Sequence, residues 1–469
     1  MSNKTTILAT AIAAAFAFGS LSARAAVSAD EAKQLGTTLT EFGAEKAANK
    51  DGSIPAYTGG LDKVAGYDPK TSKSYVDPFA AEKPLYTIDA KNATQYDALL
   101  TVGTKAMIKQ YPGYRVDVYP SHRTMRYPDW VLKNTVKNAT TAKLGGAVEG
   151  DNLMGADAGG LPYAGVPFPI PKTGYEVLWN YFAHYAPAVN HRIASGWMVD
   201  TAGNTTALPT VDEWFVHPWY DKSGKLKAQT PEGSFFGFNA LLTSPPPSAG
   251  IVFLNFYTTK GEEGGQKVWF YTPGQRRVRM APEFAYDVPI ASYGGVIFWD
   301  ETFGLSGRLD RFDYKLVGKK EMIVPYNLLK LTNTAKSSTY FDKKFLNPEN
   351  VRWEKHRVWV VEATRKASAR HIYSKRTYYV DEDSWLIVAN EGYDNAGNIY
   401  RVSYVNSFPT YDVGGMDNYS WVTYDLIKGN YAAFNFALSD PQNSTRDYDS
   451  SEGLQLNLTA QSVAAAGVR

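Results

Sequence analysis

The chain has 469 residues and no cysteine, and it carries 49 lysines and arginines against 47 aspartates and glutamates. The excess of two basic residues, Lys4 and Arg24, lies in the first 25 residues, so the remainder is balanced in charge. That balance excludes a general electrostatic attraction to nucleic acid or to an anionic membrane surface. The absence of cysteine excludes a thiolate metal site, a cysteine nucleophile and a lipid-modified cysteine.

Residues 1–25 predict a secretory signal peptide. Lys4 supplies a positive start, residues 7–19 are apolar and rich in alanine, and Ala23 and Ala25 are small residues at the cleavage positions. The stretch is short for a membrane anchor. We therefore expect export, with cleavage near Ala25.

The chain after the signal peptide divides into three regions of different predicted structure. Residues 26–174 predict a helical and extended region that packs on a sheet, with a helix from Ser28, a strap rich in proline and glycine over 50–88, and helices over 89–109 and 128–143. Residues 175–438 predict the sheet itself, after one more helix over 175–185. Residues 439–469 predict a polar C-terminal tail without a strand.

Strand patterns dominate the middle of the chain. Residues 357–408 contain four runs rich in β-branched and aromatic residues, separated by short polar turns, which predict an antiparallel meander. Further strands are predicted over 193–200, 213–219, 250–259, 267–272, 276–280, 309–317, 320–325 and 419–427. The expected fold class is α+β, with helices first and one long antiparallel sheet after them.

The sharpest predicted hairpin spans residues 267–280. Pro273 and Gly274 predict a type II turn, because proline fixes φ and glycine accepts a positive φ. Alternation along the strands places Trp269 and Tyr271 on one face of the hairpin and the arginines of the second strand on the other.

Two groups of residues are candidates for ligand binding. If the sheet curls, aromatic side chains can line a cavity on its concave face, or they can pack as ordinary core. Arginines can form a cationic rim for an anionic head group, or they can lie on solvated strand faces beside acidic partners. The cavity candidates are Trp269, Tyr271, Phe253, Trp359 and Tyr378, and the rim candidates are Arg276, Arg277, Arg279, Arg370 and Arg376.

Motifs for catalysis, cofactors and metals are missing from the sequence. The six histidines do not stand at metal-binding spacing. The acidic stretches 381–383 and 394–398 resemble fragments of calcium loops but lie where hairpins need turn residues. Residues 304–307 lack the five-residue nucleophile elbow. We predict no catalytic residue, no metal and no cofactor.

Several phrases of the sequence carry a resemblance to a known family. They are FGAE (42–45), DGSIPA (51–56), YTPGQRRVR (271–279), LVGKKEMIVPYN (316–327), HRVWVVEA (356–363), RHIYSKR (370–376) and DEDSW (381–385). Together they resemble a Gram-negative periplasmic family of unknown function that is associated with outer-membrane lipoprotein sorting. The resemblance implies a fold similar to the carriers LolA and LolB, in which helices close an antiparallel half-barrel around an apolar cavity.

The resemblance also implies a function. We expect a soluble periplasmic carrier or chaperone for a hydrophobic or amphiphilic ligand, such as a lipid or the acyl chain of a lipoprotein, that serves transport to or from the outer membrane. Its expected partners are an efflux-type inner-membrane transporter and an outer-membrane protein. The alternatives are an accessory or adaptor protein of that transporter, and an enzyme that acts on an apolar substrate.

Overall fold

The computed structural model describes residues 27–281, 286–437 and 444–467. The expected signal peptide lies outside the described residues. The α-helices mostly precede the strands of the main sheet. They are α1 (Ala29–Ala32), α2 (Val102–Gln110), α3 (Asp129–Thr141), α4 (Gly174–Phe182), α5 (Lys225–Gln229) and α6 (Ala460–Gly467). None of the helices in these ranges has the length and apolar character needed to cross a membrane.

The strands begin with short pieces in the N-terminal region: β1 (Tyr86–Ile88), β2 (Val116–Val118), β3 (Lys143–Gly145) and β4 (Asn152–Met154). The next group is β5 (Val189–Val199), β6 (Thr205–Ala207), β7 (Thr210–Val216), β8 (Ser234–Ser244), β9 (Val252–Thr258), β10 (Gln266–Thr272) and β11 (Arg277–Ala281). Then follow β12 (Phe312–Pro325), β13 (Trp353–Arg365), β14 (Lys375–Asp381), β15 (Ile387–Tyr393) and β16 (Ile399–Val405). The last are β17 (Phe408–Pro409), β18 (Met416–Asp417), β19 (Trp421–Asp425), β20 (Asn430–Ala437) and β21 (Ser444–Tyr448).

One 17-stranded sheet dominates the fold. Its antiparallel order is β12-β13-β14-β15-β16-β19-β20-β5-β7-β8-β9-β10-β11. β21 and β6 also pair with β5, and β2 joins β13 by a single parallel bridge. The end strands β12 and β11 do not pair with each other within the described ranges, so the sheet stays open there. The predicted α+β fold is confirmed.

The predicted meander corresponds to β13–β16, and its turns form for the expected reason. Asp394 Oδ1 accepts a backbone hydrogen bond from Asn398 at 2.8 Å, while Gly397 takes a φ of 82°. In the preceding turn, Asp381 Oδ2 accepts hydrogen bonds from the backbone N–H and the hydroxyl of Ser384 at 2.8 and 2.7 Å. The acidic stretches are thus turn residues that satisfy the local backbone.

Other stretches differ from their predicted structure. The sequence pattern does not predict β8, β20 or β21; β8 (SFFGFNALLTS) is apolar on both faces and lacks the alternation that marks a half-buried strand. The strands expected over 309–317 and 320–325 are one strand, β12, with a bulge between Leu316 and Gly318. The segment expected to be a tail contributes β21 and α6.

The turn of the 267–280 hairpin also differs. Pro273–Gln275 form a 3₁₀ turn, and Arg276, with a φ of 48°, occupies the left-handed conformation that was expected at Gly274. The predicted type II turn is therefore wrong. The predicted faces are confirmed, because Tyr271 pairs directly with Val278.

The sheet curls around an internal segment that we call the inner loop (residues 299–305). This segment packs against β15 and β16. The ring centroid of Phe303 also lies 5.6 Å from that of Phe215 on β7 and 5.1 Å from that of Trp421 on β19. β15 and β7 are separated by several strands in the sheet order, so one loop can reach both only if the sheet is strongly curved.

Helix α4 covers the β12 and β13 side of this curved sheet. Thr173 and Glu176 form a capping box at its start, in which each side chain accepts a hydrogen bond from the backbone of the other. Nearly every residue of the helix is buried, which the sequence GYEVLWNYF explains. The helix thereby holds Tyr181 against the inner loop.

Candidate functional site

The tip of the inner loop places an aromatic ring in the middle of the concave face. Thr302 (φ −59°, ψ 134°) and Phe303 (φ 59°, ψ 14°) have the dihedral angles of a type II turn, whose third position normally holds glycine. A left-handed conformation costs a non-glycine residue roughly 1–2 kcal/mol. The surrounding rings that hold Phe303 in place are Phe215, Phe236, Phe238, Tyr419 and Trp421.

Hydrogen bonds fix the tip of the inner loop from one side. The Tyr181 hydroxyl donates to the backbone carbonyls of Phe303 and Leu305, at 2.7 and 3.2 Å. The position of the Phe303 ring therefore depends both on ring packing and on the hydrogen bonds from Tyr181 of α4.

Buried ion pairs hold the base of the inner loop. Asp300 accepts from Arg376 at 2.8 Å and contacts His371 at 2.9 Å, while Glu301 accepts from Arg401 at 2.7 Å. Burial raises the pKa of Asp300, but Arg376 and His371 outweigh burial and leave the pKa below its ordinary value. The base is thus an ionic anchor, whereas the tip is held by packing and neutral hydrogen bonds.

A first cavity lies on one side of the Phe303 ring. It encloses about 30 Å³, room for roughly one water molecule, so a larger body fits only if a side chain is displaced. Burial lowers the pKa of His184 to about 4 and holds that of His217 well below its ordinary value, so both are neutral near pH 7. Its main lining residues are Tyr181, His184, His217, Phe235, Phe236, Tyr257, Phe303 and Tyr419.

A second cavity lies against the same ring. It encloses about 50 Å³, and it differs from the first by holding a carboxyl group. Glu213 Oε2 accepts a hydrogen bond from Asn435 Nδ2 at 3.2 Å, and burial raises the pKa of Glu213 to about 8. Its main lining residues are Val211, Glu213, Phe238, Phe253, Tyr293, Trp299, Phe303, Trp421 and Asn435. Phe303 is shared by both cavities and acts as the wall between them.

Residues 87–463 match the family described as a protein of unknown function, DUF1329. The chain belongs to the DUF1329 family. It is also 37% identical over 460 residues to the uncharacterized protein PA3922 of Pseudomonas aeruginosa, with 95% of each chain covered. The predicted membership of a family of unknown function is confirmed.

Solved structures similar to this DUF1329 chain are distant in sequence. One is described as an outer-membrane lipoprotein-sorting protein domain, from Vibrio parahaemolyticus, with 14% identity, a TM-score of 0.40, and coverage of 62% of this chain and 97% of that one. Another is a DUF1329 family protein from Desulfovibrio piger, with 14% identity, a TM-score of 0.39, and coverage of 60% and 93%. A third is the LolA superfamily protein NE2245 from Nitrosomonas europaea, with 10% identity, a TM-score of 0.33, and coverage of 59% and 94%.

The sequence-predicted cavity residues of the DUF1329 chain do not come together at one place. Phe253 lines the second cavity. Trp269 and Tyr271 lie in a separate apolar cluster covered by α6. Trp359 stacks on another tryptophan at 6.2 Å, and Tyr378 is buried beneath the guanidinium of Arg376.

The arginines of the predicted cationic rim also lie in different environments. Arg276, Arg277, Arg279 and Arg370 are exposed. Arg376 is buried and forms the ion pair with Asp300, so it does not belong to a rim. Its neighbour along the strand, Lys375, is the residue of β14 that reaches solvent.

Sequence reasoning missed the inner loop and the acid in the second cavity. The only local signal for the loop is an acidic pair, Asp300 and Glu301, between Trp299 and Phe303. An acidic pair among large apolar residues outside a hairpin turn indicates buried ion pairs. For Glu213 the signal is weaker, since any alternating strand contains such a residue.

Proposed function

We propose that this DUF1329 protein carries an apolar or amphiphilic molecule on the concave face of its sheet. The observation that carries the proposal is the position of Phe303, a strained aromatic residue between two cavities with mostly apolar walls. Strained residues persist only where the surrounding structure imposes them, and they concentrate at functional sites. In the proposed mechanism the ligand displaces the ring and joins the two cavities.

The magnitudes favour such a displacement. Burying each methylene of an acyl chain contributes about 0.8 kcal/mol, so ten methylenes contribute roughly 8 kcal/mol before the costs of association. Removing a phenyl ring from its packing costs about 3–5 kcal/mol, judged from Phe→Ala substitutions in cores, and the relief of the turn offsets part of that. The ionic anchor at Asp300 and Glu301 can stay intact while only the tip moves.

The structure supports a carrier function better than an enzymatic function. Glu213 lines the second cavity and the two histidines line the first, with Phe303 between them, so these groups do not converge on one bound atom. His217 Nε2 lies 2.9 Å from the Tyr419 hydroxyl, and this contact satisfies it within the wall of the cavity.

The test is a titration of delipidated protein with the neutral fluorophore Nile red, followed by displacement with dodecanol. We expect the wild type to bind and Phe303→Ala to bind at least tenfold more tightly, since at least ~1.4 kcal/mol of the ring-packing cost no longer opposes entry. Phe256→Ala is the matched control, because Phe256 is also buried but lies in the separate cluster with Tyr271. An unchanged affinity in Phe303→Ala, or no binding by either protein, would overturn the proposal.

The place and partners of the carrier are part of the same proposal. We infer export to the periplasm and exchange with an efflux-type inner-membrane transporter and an outer-membrane protein. The signal-like residues 1–25 support export. Fractionation of a Gram-negative host should find the full-length chain in the periplasm and a version lacking residues 2–25 in the cytoplasm. In cells that express the full-length chain, cross-linking should capture the inner-membrane transporter and the outer-membrane protein.

A further inference from the structure

The second cavity contains a buried acid that lacks a cationic partner. Around the inner loop each buried carboxylate has its arginine: Asp300 has Arg376 and Glu301 has Arg401. Glu213, only 4% exposed, hydrogen bonds to Asn435 and forms no ion pair with any described residue. An unpaired buried carboxyl is costly, and natural structures normally compensate it.

An irregularity in β20 positions the hydrogen-bond partner of Glu213. Asn435 lies at an irregularity of β20, where the pairing with β5 shifts its register between Ala433 and Phe436. The asparagine takes a left-handed φ of 53°. Bulges of this kind redirect a side chain, and here the amide is turned onto Glu213.

The walls around Glu213 suit a cation with an apolar tail. Phe253, Tyr293, Trp299 and Trp421 surround the same space. Aromatic faces attract ammonium groups, most strongly where water is excluded. A carboxyl group set among aromatic rings is the chemistry that recognises an amine.

We propose that Glu213 binds the protonated amine of an amphiphilic ligand, with Asn435 as a positioning residue and the apolar tail directed past Phe303. The inference rests on the proposed carrier function and names its ligand class. The raised pKa of Glu213 supports it, because burial keeps the carboxyl protonated in spite of the attraction of Arg192, and a bound ammonium group would stabilise its charged form.

The experiment compares three probes of equal chain length, dodecylamine, dodecanol and laurate, as competitors of Nile red on the delipidated protein near neutral pH. We expect dodecylamine to bind at least about tenfold more tightly than dodecanol, and laurate to bind more weakly than either, since a tenfold ratio is what ~1.4 kcal/mol of head-group preference produces. Glu213→Gln should remove the preference for the amine, so that dodecylamine no longer binds more tightly than dodecanol.

Asp212→Asn is the matched control, because Asp212 precedes Glu213 but lies on the opposite face and contacts His191 at 2.8 Å. It should leave the order of the three affinities unchanged, with dodecylamine still the tightest ligand. Equal binding of amine and alcohol by the wild type, or an amine preference that survives in Glu213→Gln, would overturn the head-group assignment and leave the carrier function standing. Failure of all three probes to bind would overturn both.

Discussion

Arg192 of β5 and Glu213 of β7 are direct cross-strand partners, yet their side chains do not form an ion pair. Arg192 instead binds Asp417 through Nη2 and donates from Nε to Asn190 Oδ1 at 3.0 Å. Glu213 retains Asn435 as its hydrogen-bond partner. The sheet thus sets an arginine beside an acid and engages the arginine elsewhere, which leaves one carboxyl facing a cavity.

The first prediction concerns the pH dependence of stability at Glu213. Burial raises the pKa of this carboxyl from its ordinary 4.5 to about 8. Between those two pH values the unfolded chain gives up a proton that the folded chain keeps, so this group lowers stability as pH rises, by up to about 1.4 kcal/mol per pH unit. Glu213→Gln cannot ionise, so the stability of the variant relative to wild type should increase with pH across that window.

Urea unfolding at several pH values measures this difference. Other titrating groups contribute equally to both proteins and cancel. Asp212→Asn, with a half-buried side chain that contacts His191, serves as the comparison. Parallel curves for wild type and Glu213→Gln would contradict the assignment of a buried, protonated carboxyl.

A second prediction separates backbone strain from ring packing at Phe303. Both Phe303→Ala and Phe303→Gly lose the ring, which costs about 3–5 kcal/mol of unfolding free energy. Because φ is 59° at this position, glycine relieves a strain that alanine keeps, so the glycine variant should be the more stable by about 1 kcal/mol. At Phe256, within the ordinary strand β9, the order should be reversed. Glycine below alanine at both positions would show that the turn is not strained.

A third prediction concerns the ionic anchor of the inner loop. Asp300 and Arg376 are 7% and 1% exposed, so removing either partner leaves a buried charge and should cost roughly 3–5 kcal/mol. A double-mutant cycle with Asp300→Asn and Arg376→Met should therefore give a coupling well above that of an exposed pair. Glu362 and Lys375, 41% and 40% exposed on the same sheet, provide that pair, with an expected coupling below about 1 kcal/mol. Equal couplings would mean that Asp300 and Arg376 are not an anchor.

A fourth prediction concerns the C-terminal helix. Val463 of α6 is fully buried in the cluster that contains Tyr271 and Leu254. Val463→Asp should lower the unfolding free energy by several kcal/mol, on the order of the 2–7 kcal/mol cost of burying an unpaired polar group, and should expose apolar surface to a dye such as ANS. Gln461→Asp on the exposed side of the same helix should do neither. If both variants behave alike, α6 does not cover this part of the sheet.

Local patterns decided much of the fold in advance. The meander, its Asp and Gly turns and the faces of the 267–280 hairpin follow from alternation and turn chemistry, which act over a few residues. Where a strand is buried on both faces, as β8 is, alternation disappears and the pattern no longer predicts a strand. The predicted type II turn at Pro273 and Gly274 is wrong because the four-residue loop has its left-handed residue at Arg276 instead.

The amino-acid sequence by itself determined the meander strands, their Asp and Gly turns and, through whole motifs, the family of this protein. Only the tertiary structure decided which residues line the two cavities. Phe303 becomes a wall between cavities because strands distant along the chain meet around it, and Glu213 becomes an unpaired acid because Asp417 engages its neighbour Arg192. Burial and charge pairing are sums over contacts between distant segments, so short-range patterns cannot report them.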